Sequence, residues 1–229
     1  MKISYLSLSE KRCTIQFYGC NFKCKACFAP NKANRYTKVT PERLITKIKQ
    51  FDPGEVMLAG GEPTLYRKEL IEFIKMYDTK TILTTNGSLL DGAFIREMEN
   101  TCLKEIHIDL KAYTTKLHEW YTGCSNQMVF DAIAQLNRSN LDFEVMSVFI
   151  PGIIDTDEIE KIAEFLAGIE TKIRYKIIRY VPIGNIYRRP TEAEIKGAVS
   201  IAKKYLGNVT SSLEERTHPL KCVRVRIEA

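Results

Sequence analysis

The stretch FEVMSVFIPGIIDTDEIEKIAEFLAGIETKIRYKIIRYV, residues 143–181, predicts a strand, a helix and a second strand in succession. Residues 143–150 form a short apolar run rich in valine, phenylalanine and isoleucine, which is typical of a buried strand. Apolar residues then recur at 159, 162, 163 and 166, the spacing of one face of a helix. Because residues 173–181 form another apolar run, the stretch indicates a β–α–β unit with parallel strands.

The same alternation extends along the chain in both directions. Strands are predicted at 14–18, 55–59, 80–84, 106–110 and 222–227, and helices at 41–50, 67–77, 90–99, 128–137 and 192–206. Thr40 is the expected N-cap of the helix that begins at Pro41. The pattern contains six β–α units followed by an extra strand.

Right-handed crossovers curl repeated units of this kind into a barrel, and six units are too few for the closed eight-stranded form. The predicted fold is therefore α/β, an incomplete (β/α)6 TIM-like barrel with a C-terminal extra strand. A flat, doubly wound sheet is the alternative. Since no linker or repeat interrupts the pattern, residues 1–229 are expected to form a single domain.

The composition is that of an ordinary globular protein, with 229 residues, 45% of them hydrophobic, and a net charge of +6. No apolar run approaches the ~20 residues that a membrane helix needs, and the N-terminus lacks the pattern of a signal peptide. A cytoplasmic monomer that does not bind membranes is expected. Without a Lys/Arg block, nucleic acid is an unlikely partner.

Seven cysteines lie at 13, 20, 24, 27, 102, 124 and 222, an odd number that argues against a disulfide framework. Cys20, Cys24 and Cys27 form a C-x3-C-x2-C motif directly after the first predicted strand. Thiolates are soft ligands that select zinc or iron–sulfur clusters. Structural zinc takes four ligands, and the nearest candidates for a fourth are Cys13 and His107. Three cysteines in one loop favour a [4Fe–4S] cluster with one open iron, and zinc remains the alternative.

This motif resembles the signature of the radical S-adenosylmethionine superfamily. The resemblance implies that the cysteine loop lies at the barrel mouth and that S-adenosylmethionine binds the open iron and is cleaved to a 5′-deoxyadenosyl radical. Cys20, Cys24 and Cys27 are then the cluster ligands and the catalytic centre. Ala26 stands where the family often has an aromatic residue, and Phe28 follows the third cysteine instead. Phe28 is expected to help cover the bound group.

Two further strand ends carry motifs of the same family. Gly60-Gly61-Glu62-Pro63 follows the second predicted strand. By itself it is an ordinary turn, but it resembles the family's GGEP element, which implies a cradle for the amino group of S-adenosylmethionine. Thr85 and Asn86, in the sequence TTNG, end the third strand. Asn-Gly is a turn signal, and in the family this region lies beside the cofactor.

Asp109 and Lys111 end the fourth predicted strand, where alternation places them on one face. This D-x-K pattern resembles that of glycyl-radical-enzyme activating enzymes, such as pyruvate formate-lyase activating enzyme. Residues 117–126 and 150–155 continue the likeness, which spans residues 14 to about 170. An exposed ion pair without a binding role is the other interpretation of Asp109 and Lys111.

The sequence also departs from the activating enzymes. Thr84 stands where they commonly have an aspartate of a monovalent-cation site, and Met146 stands where they have an arginine. Ser147 is then a candidate to bind the ribose, and Arg179 to supply the missing positive charge. His107 is predicted to face away from Asp109, and His118 to lie at the surface.

The function that the resemblance implies is the generation of a glycyl radical on a partner enzyme. Two alternatives remain: a radical enzyme that modifies a small molecule, peptide or nucleotide, and a non-catalytic iron–sulfur or zinc-binding module. Because the sequence contains no second cluster motif, an external flavodoxin or ferredoxin is expected to supply the electron.

Overall fold

A computed structural model describes residues 1–28, 35–183, 186, 188–214 and 222–227. They form one ten-stranded sheet with helices packed on its outer face. The strands are β1 (Lys2–Leu8), β2 (Arg12–Phe17), β3 (Thr37–Lys38), β4 (Glu55–Gly60), β5 (Thr81–Thr85), β6 (Leu103–Asp109), β7 (Phe143–Phe149), β8 (Arg174–Arg179), β9 (Asn208–Ser211) and β10 (Val223–Val225). The helices are α1 (Pro41–Lys49), α2 (Arg67–Met76), α3 (Gly92–Glu99), α4 (Thr115–Thr122), α5 (Gln127–Leu136), α6 (Thr156–Ile169) and α7 (Glu192–Ala202), with a 3-10 helix at Pro63–Tyr66.

The strand order is β10-β1-β2-β4-β5-β6-β7-β8-β9, and β3 pairs with β1. Strands β2 and β4 to β9 are parallel, whereas β1 is antiparallel to both β2 and β10. Within the described residues β9 and β10 are the two ends of the sheet and do not pair, so the barrel is open. The predicted incomplete barrel with an extra C-terminal strand is confirmed.

Three strands and one α-helix were not predicted, and one of these strands, β3, has only two residues. Strand β1 has a bulge between Ile3 and Tyr5 that breaks the two-residue alternation on which a strand prediction depends. Strand β9 has only four residues. Helix α4 lies between two predicted elements, and its histidine and tryptophan obscure its apolar stripe.

The first helix begins where the sequence predicts its cap. The side chain of Thr40 accepts a hydrogen bond from the backbone N–H of Arg43, and Pro41 occupies the first turn, as predicted. Helix α6 buries an apolar stripe that includes Ile159, Ile162 and Leu166, and these residues belong to the main core. The main core therefore lies between the sheet and the helices. No helix among the described residues combines the length and apolar character needed to cross a membrane.

The inner face of the sheet is charged towards the amino ends of its strands. Glu105 contacts His107 at 3.3 Å and Arg174 at 2.8 Å, and His107 is 4.0 Å from Glu144. Hydrogen bonding to His107, with the nearby charge of Arg174, lowers the pKa of Glu105 to about 2 although burial opposes the shift. The prediction that His107 faces away from Asp109 is wrong, since residues two apart in a strand share a face.

Candidate functional site

One pocket lies at the carboxyl ends of the parallel strands, the edge at which ligands bind in folds of this class. Most of the predicted site residues line it: Cys20, Cys24, Cys27, Phe28, Gly60, Gly61, Glu62, Thr85, Asn86, Asp109 and Lys111. Six other residues also line the pocket: Phe22, Ala26, Thr84, Tyr121, Val148 and Tyr180. Pro63, Ser147 and Arg179 do not line the pocket.

The cysteine loop is anchored on one side by the end of β4. The backbone N–H of Gly61 donates to Phe17 O at 2.9 Å, and that of Glu62 donates to Gly19 O at 2.7 Å. A Cβ atom at residue 61 would lie 1.9 Å from Gly19 O. Because that neighbour is backbone and cannot turn aside, the close approach of the two loops requires glycine at this position. The double-glycine turn therefore holds the start of the cysteine loop.

Helix α4 anchors the loop on its other side. The backbone N–H groups of Lys23 and Lys25 donate to the carbonyls of Thr122 and Tyr121, at 2.7 and 3.0 Å. These carbonyls lie in the last turn of a helix, where they have no partner within the helix itself. The loop thus completes the hydrogen bonding of α4, and α4 fixes the segment around Cys24.

Glu62 joins the ends of β4 and β5. One carboxylate oxygen accepts hydrogen bonds from the backbone N–H and hydroxyl of Thr64, at 3.0 and 2.6 Å, and from the hydroxyl of Thr85 at 2.7 Å. The other accepts from the backbone N–H of Asn86 at 2.7 Å. Burial raises the pKa of Glu62, and these bonds oppose that shift. Since four protein donors already surround the carboxylate, Glu62 positions the strand ends.

An amide network connects Cys20 to the end of β5. The side-chain amide of Asn86 donates to Asn21 Oδ1 at 2.9 Å and lies 3.8 Å from the sulfur of Cys20. The backbone N–H of Phe22 also donates to this sulfur, at 3.3 Å. Hydrogen bonds to ligand sulfurs tune the reduction potential of an iron–sulfur cluster. Asn21 was missed because a single asparagine between cysteines carries no pattern.

The donors of the pocket fit a [4Fe–4S] cluster. Burial raises the pKa of the Cys24 thiol to about 11, and the charge of Lys111 opposes the shift, so metal binding must displace the proton. Among the described residues, no three His, Cys, Asp or Glu side chains converge closely enough to hold one ion. Three thiols spread around one pocket suit a cluster, which takes its ligands at separate irons, better than a four-coordinate zinc ion.

Thr84 presents a buried hydroxyl to the same pocket. Its Oγ1 has no hydrogen-bond partner, although buried hydroxyl groups are usually paired. A polar ligand in the pocket would satisfy this atom. The aspartate that the activating enzymes have here is absent, and the hydroxyl is the polar group that remains in its place.

Asp109 and Lys111 form an ion pair on the β6 side of the pocket. Lys111 Nζ lies 2.7 Å from Asp109 Oδ2, and both residues line the cavity. Burial works against the charge of Lys111, but the carboxylate of Asp109 raises its pKa above the ordinary value. Lys111 therefore keeps its charge, and the pair places a carboxyl group and an ammonium group within reach of a bound molecule.

Aromatic residues from distant parts of the chain also line the pocket. Ala26, Tyr121 and Tyr180 belong to one small buried cluster that lines the pocket. The hydroxyl of Tyr180 accepts from the backbone N–H of Ile183 at 2.8 Å and so holds the segment after β8. Tyr121 and Tyr180 therefore supply the aromatic surface that the sequence lacks at Ala26. Phe28, which was expected to help cover the bound group, lines the pocket and is 60% exposed.

Ser147 is directed away from the pocket. It is fully buried, and its hydroxyl donates to the backbone carbonyl of Leu110 at 2.6 Å. Its neighbour Val148 lines the pocket, and adjacent residues of a strand point to opposite faces. The hypothesis that Ser147 offers its hydroxyl to a ribose does not agree with this orientation.

Arg179 also lies on the outer face of the sheet. Its Nε donates to the carbonyl of Pro190 at 2.8 Å, and its guanidinium is 3.7 Å from Glu192 on α7. These contacts hold the chain that enters α7. The structure therefore does not bring Arg179 to the pocket as the substitute for the missing arginine.

His118 is buried, so its predicted surface position is wrong. Its ring packs edge-on against Phe22 with centroids 5.7 Å apart, and its Nδ1 lies 2.7 Å from the carbonyl oxygen of Cys124. Burial lowers the pKa of His118. The residue supports the cysteine loop from α4, and the helical spacing of residues 115–122 was the signal that could have revealed it.

Comparisons with known proteins agree with this site. Residues 14–166 match the family model of the Radical SAM superfamily. The chain is 38% identical over 231 residues to a Methanocaldococcus jannaschii protein named "Putative glycyl-radical enzyme activating enzyme", covering 95% of this chain and 87% of that one. It is 25% identical over 192 residues to the pyruvate formate-lyase-activating enzyme of Streptococcus mutans, covering 76% of this chain and 72% of that one.

Among solved structures, Streptococcus suis SuiB bound to S-adenosylmethionine superimposes with a TM-score of 0.67 at 16% identity, covering 85% of this chain and 48% of that chain. At that identity the likeness shows the fold. The family model and the 38% identical relative show the membership. This chain belongs to the Radical SAM superfamily and is an enzyme of that family, which uses a [4Fe–4S] cluster and S-adenosylmethionine.

Proposed function

We propose that this protein generates a glycyl radical on a partner enzyme. The observation that carries the proposal is the similarity to activating enzymes over nearly the whole chain, at 38% identity to one of them. The bound cofactors would supply a 5′-deoxyadenosyl radical, which takes a hydrogen atom from a glycine Cα of the partner and becomes 5′-deoxyadenosine. The chain's own residues hold the cofactors and keep water from them.

The site has a separate group for each of these tasks. Cys20, Cys24 and Cys27 would hold the cluster, and the turn at Gly60 and Gly61 would receive the amino group of S-adenosylmethionine. Asp109 and Lys111 would orient the cofactor, since their ion pair lines the same pocket at the end of β6. Asn86 and Thr85 keep the strand ends in place.

Further proposals concern the organisation of the protein and its electron donor. Residues 1–229 would act as one domain and as a monomer in the cytoplasm, supported by one continuous sheet among the described residues. The electron would come from an external flavodoxin or ferredoxin, because the sequence offers no second cluster motif.

The test is an anaerobic activation assay with each glycyl-radical enzyme encoded in the host genome. The reconstituted protein, dithionite, S-adenosylmethionine and the partner should yield a glycyl radical signal in EPR, and a partner with its target glycine changed to alanine should give none. The variant with alanine at positions 20, 24 and 27 is the negative control. If no partner acquires the signal while 5′-deoxyadenosine still forms, the proposed substrate is wrong.

A radical enzyme acting on a small molecule, peptide or nucleotide is the second candidate. It is favoured by the departures at Thr84 and Met146, positions where the activating enzymes have charged residues. Consumption of a small substrate in step with 5′-deoxyadenosine formation, without any partner enzyme, would support it.

A further inference from the structure

The outer face of the cysteine loop and helix α4 form one basic and aromatic surface. Lys23, Lys25, Lys116 and Trp120 are exposed there, and Trp120 keeps half of its surface in solvent. The ammonium of Lys25 lies 4.9 Å from the centre of the Trp120 ring, a cation–π contact between loop and helix. These four residues are called the loop–helix patch. Glu119 is an exposed acidic residue next to it, so positive charge predominates.

The patch is directly connected to a cluster ligand. Lys23 and Lys25 flank Cys24 in the chain, and both are fixed to α4 through their backbone N–H groups. An electron that arrives at the patch therefore needs to cross only the loop to reach the sulfur of Cys24. Exposed tryptophan is uncommon away from binding surfaces, and aromatic residues are enriched in protein interfaces.

The other sides of the loop are occupied. Its beginning packs on the end of β4, where the backbone N–H of Glu62 donates to the carbonyl of Gly19. Its inner side faces the pocket that receives the cofactors. Of the described surroundings of Cys24, the loop–helix patch is thus the side that solvent, and a protein in solvent, reaches.

We propose that the loop–helix patch is the docking surface for an acidic one-electron carrier of the flavodoxin or ferredoxin class. The inference rests on the external electron donor of the proposed function and is independent of the radical's substrate. In the step itself no bond is made or broken: one electron leaves the reduced carrier, which is oxidised by one electron, and the cluster is reduced by one. Three lysines against one glutamate, in a chain of net charge +6, complement an acidic carrier.

The experiment compares two double variants of the full-length, reconstituted protein. The test variant is Lys23→Glu with Lys25→Glu. The control is Lys203→Glu with Lys204→Glu, an exposed pair after α7 that precedes β9 and so lies at the opposite edge of the sheet. Both variants lower the net charge from +6 to +2, so they separate the local effect from that of overall charge.

Anaerobic stopped-flow spectroscopy would follow cluster reduction by reduced flavodoxin, by reduced ferredoxin and by dithionite, with calorimetry for carrier binding. We expect the test variant to be reduced at least about tenfold more slowly by a carrier at low salt, the scale of electrostatic steering. Reduction by dithionite and the iron content should stay within about twofold of the wild type. The wild-type rate with carrier should fall as salt is added.

Equal slowing of both double variants, or an unchanged carrier rate in the test variant, would overturn the proposal. So would a loss of glycyl radical formation after reduction by dithionite, since the patch would then bind the partner enzyme. If the test variant binds little iron, the single variant Lys116→Glu replaces it, because Lys116 lies on α4 and outside the cysteine loop. We expect Lys116→Glu to slow cluster reduction by the carrier about threefold. In each of these outcomes the wild-type protein still forms 5′-deoxyadenosine and the glycyl radical, which distinguishes failure of this proposal from failure of the proposed function.

Discussion

The two sides of the pocket are built differently. On one side, the ends of β4 and β5 carry Glu62 and Asn86, whose polar groups are hydrogen bonded within the protein. On the other, one ion pair stands among apolar and aromatic groups such as Val148 and Tyr180. The first side is organised without any ligand, and the second leaves its charges facing the cavity. The difference separates Glu62 and Asn86, which shape the site, from Asp109 and Lys111, whose charges would bind its occupants.

The largest expected effect is at the contact between the cysteine loop and β4. Gly61→Ala would place a Cβ 1.9 Å from Gly19 O, so the loops must move apart. We expect a loss of about 3 kcal/mol in the free energy of unfolding, the upper range for overpacking, and a large loss of bound iron. Urea unfolding and iron analysis measure the two.

Gly168→Ala is the matched control, because a Cβ at that exposed position in α6 meets nothing within 4 Å. It should leave iron binding unchanged and raise stability by about 0.5 kcal/mol. If the two glycine variants behaved alike, the close approach at residue 61 would not hold the loop.

Glu62→Gln tests whether the first side of the pocket depends on its carboxylate. The amide would present its own N–H groups to donors, leaving buried groups unpaired at a cost of about 2 kcal/mol. Urea unfolding of the metal-free protein is the measurement. Glu72→Gln, on the exposed face of α2, should stay within about 0.5 kcal/mol of the wild type. A cost no greater than that of the control would mean that Glu62 does not join the strand ends.

Asp109→Asn probes the second side. The sulfonium of S-adenosylmethionine is positively charged, and without the carboxylate the charge of Lys111 would be uncompensated nearby. We expect binding of S-adenosylmethionine to weaken about tenfold, or ~1.4 kcal/mol. Calorimetry on the reconstituted protein measures the affinity. Arg179→Ala, on the outer face, is the control and should stay within about twofold; the reverse ranking would contradict the assignment of the two faces.

The smallest effect concerns the charged residues Glu105, His107 and Arg174 on the inner face of the sheet. Because hydrogen bonding to His107 and the charge of Arg174 lower the pKa of Glu105 to about 2, its stabilisation is present above the ordinary value of 4.5 and is lost as the pH falls towards 2. Glu105 is partly exposed, so solvent screening limits the effect to about 1 kcal/mol. Urea unfolding at pH ~5.5 and ~3 should show a smaller loss for Glu105→Gln than for the wild type. Equal losses would mean that Glu105 is not stabilised by these neighbours.

The parts of the site that the sequence predicted are local. Three cysteines within eight residues and a double glycine at a strand end carry their geometry in their own spacing. The alternation of β–α units likewise predicted the open barrel, because each unit follows from neighbouring residues.

The predictions that were wrong depend on which face of a strand lies inside the barrel. In β7 residues 145–147 are all buried, so no alternation of polar and apolar residues marks the pocket side, and Ser147 was assigned to the wrong face. Arg179 was assigned to the wrong face of its strand for the same reason. Tyr121 and Tyr180 meet Ala26 only in the folded chain, and no local pattern brings together residues so far apart in the sequence.

The most direct test of the central claim is anaerobic reconstitution of the wild type beside the variant with alanine at positions 20, 24 and 27. The wild type should bind about four irons per chain and, with dithionite and S-adenosylmethionine, release 5′-deoxyadenosine and methionine. The variant should do neither. A wild type that holds zinc in place of iron and releases no 5′-deoxyadenosine would contradict the account.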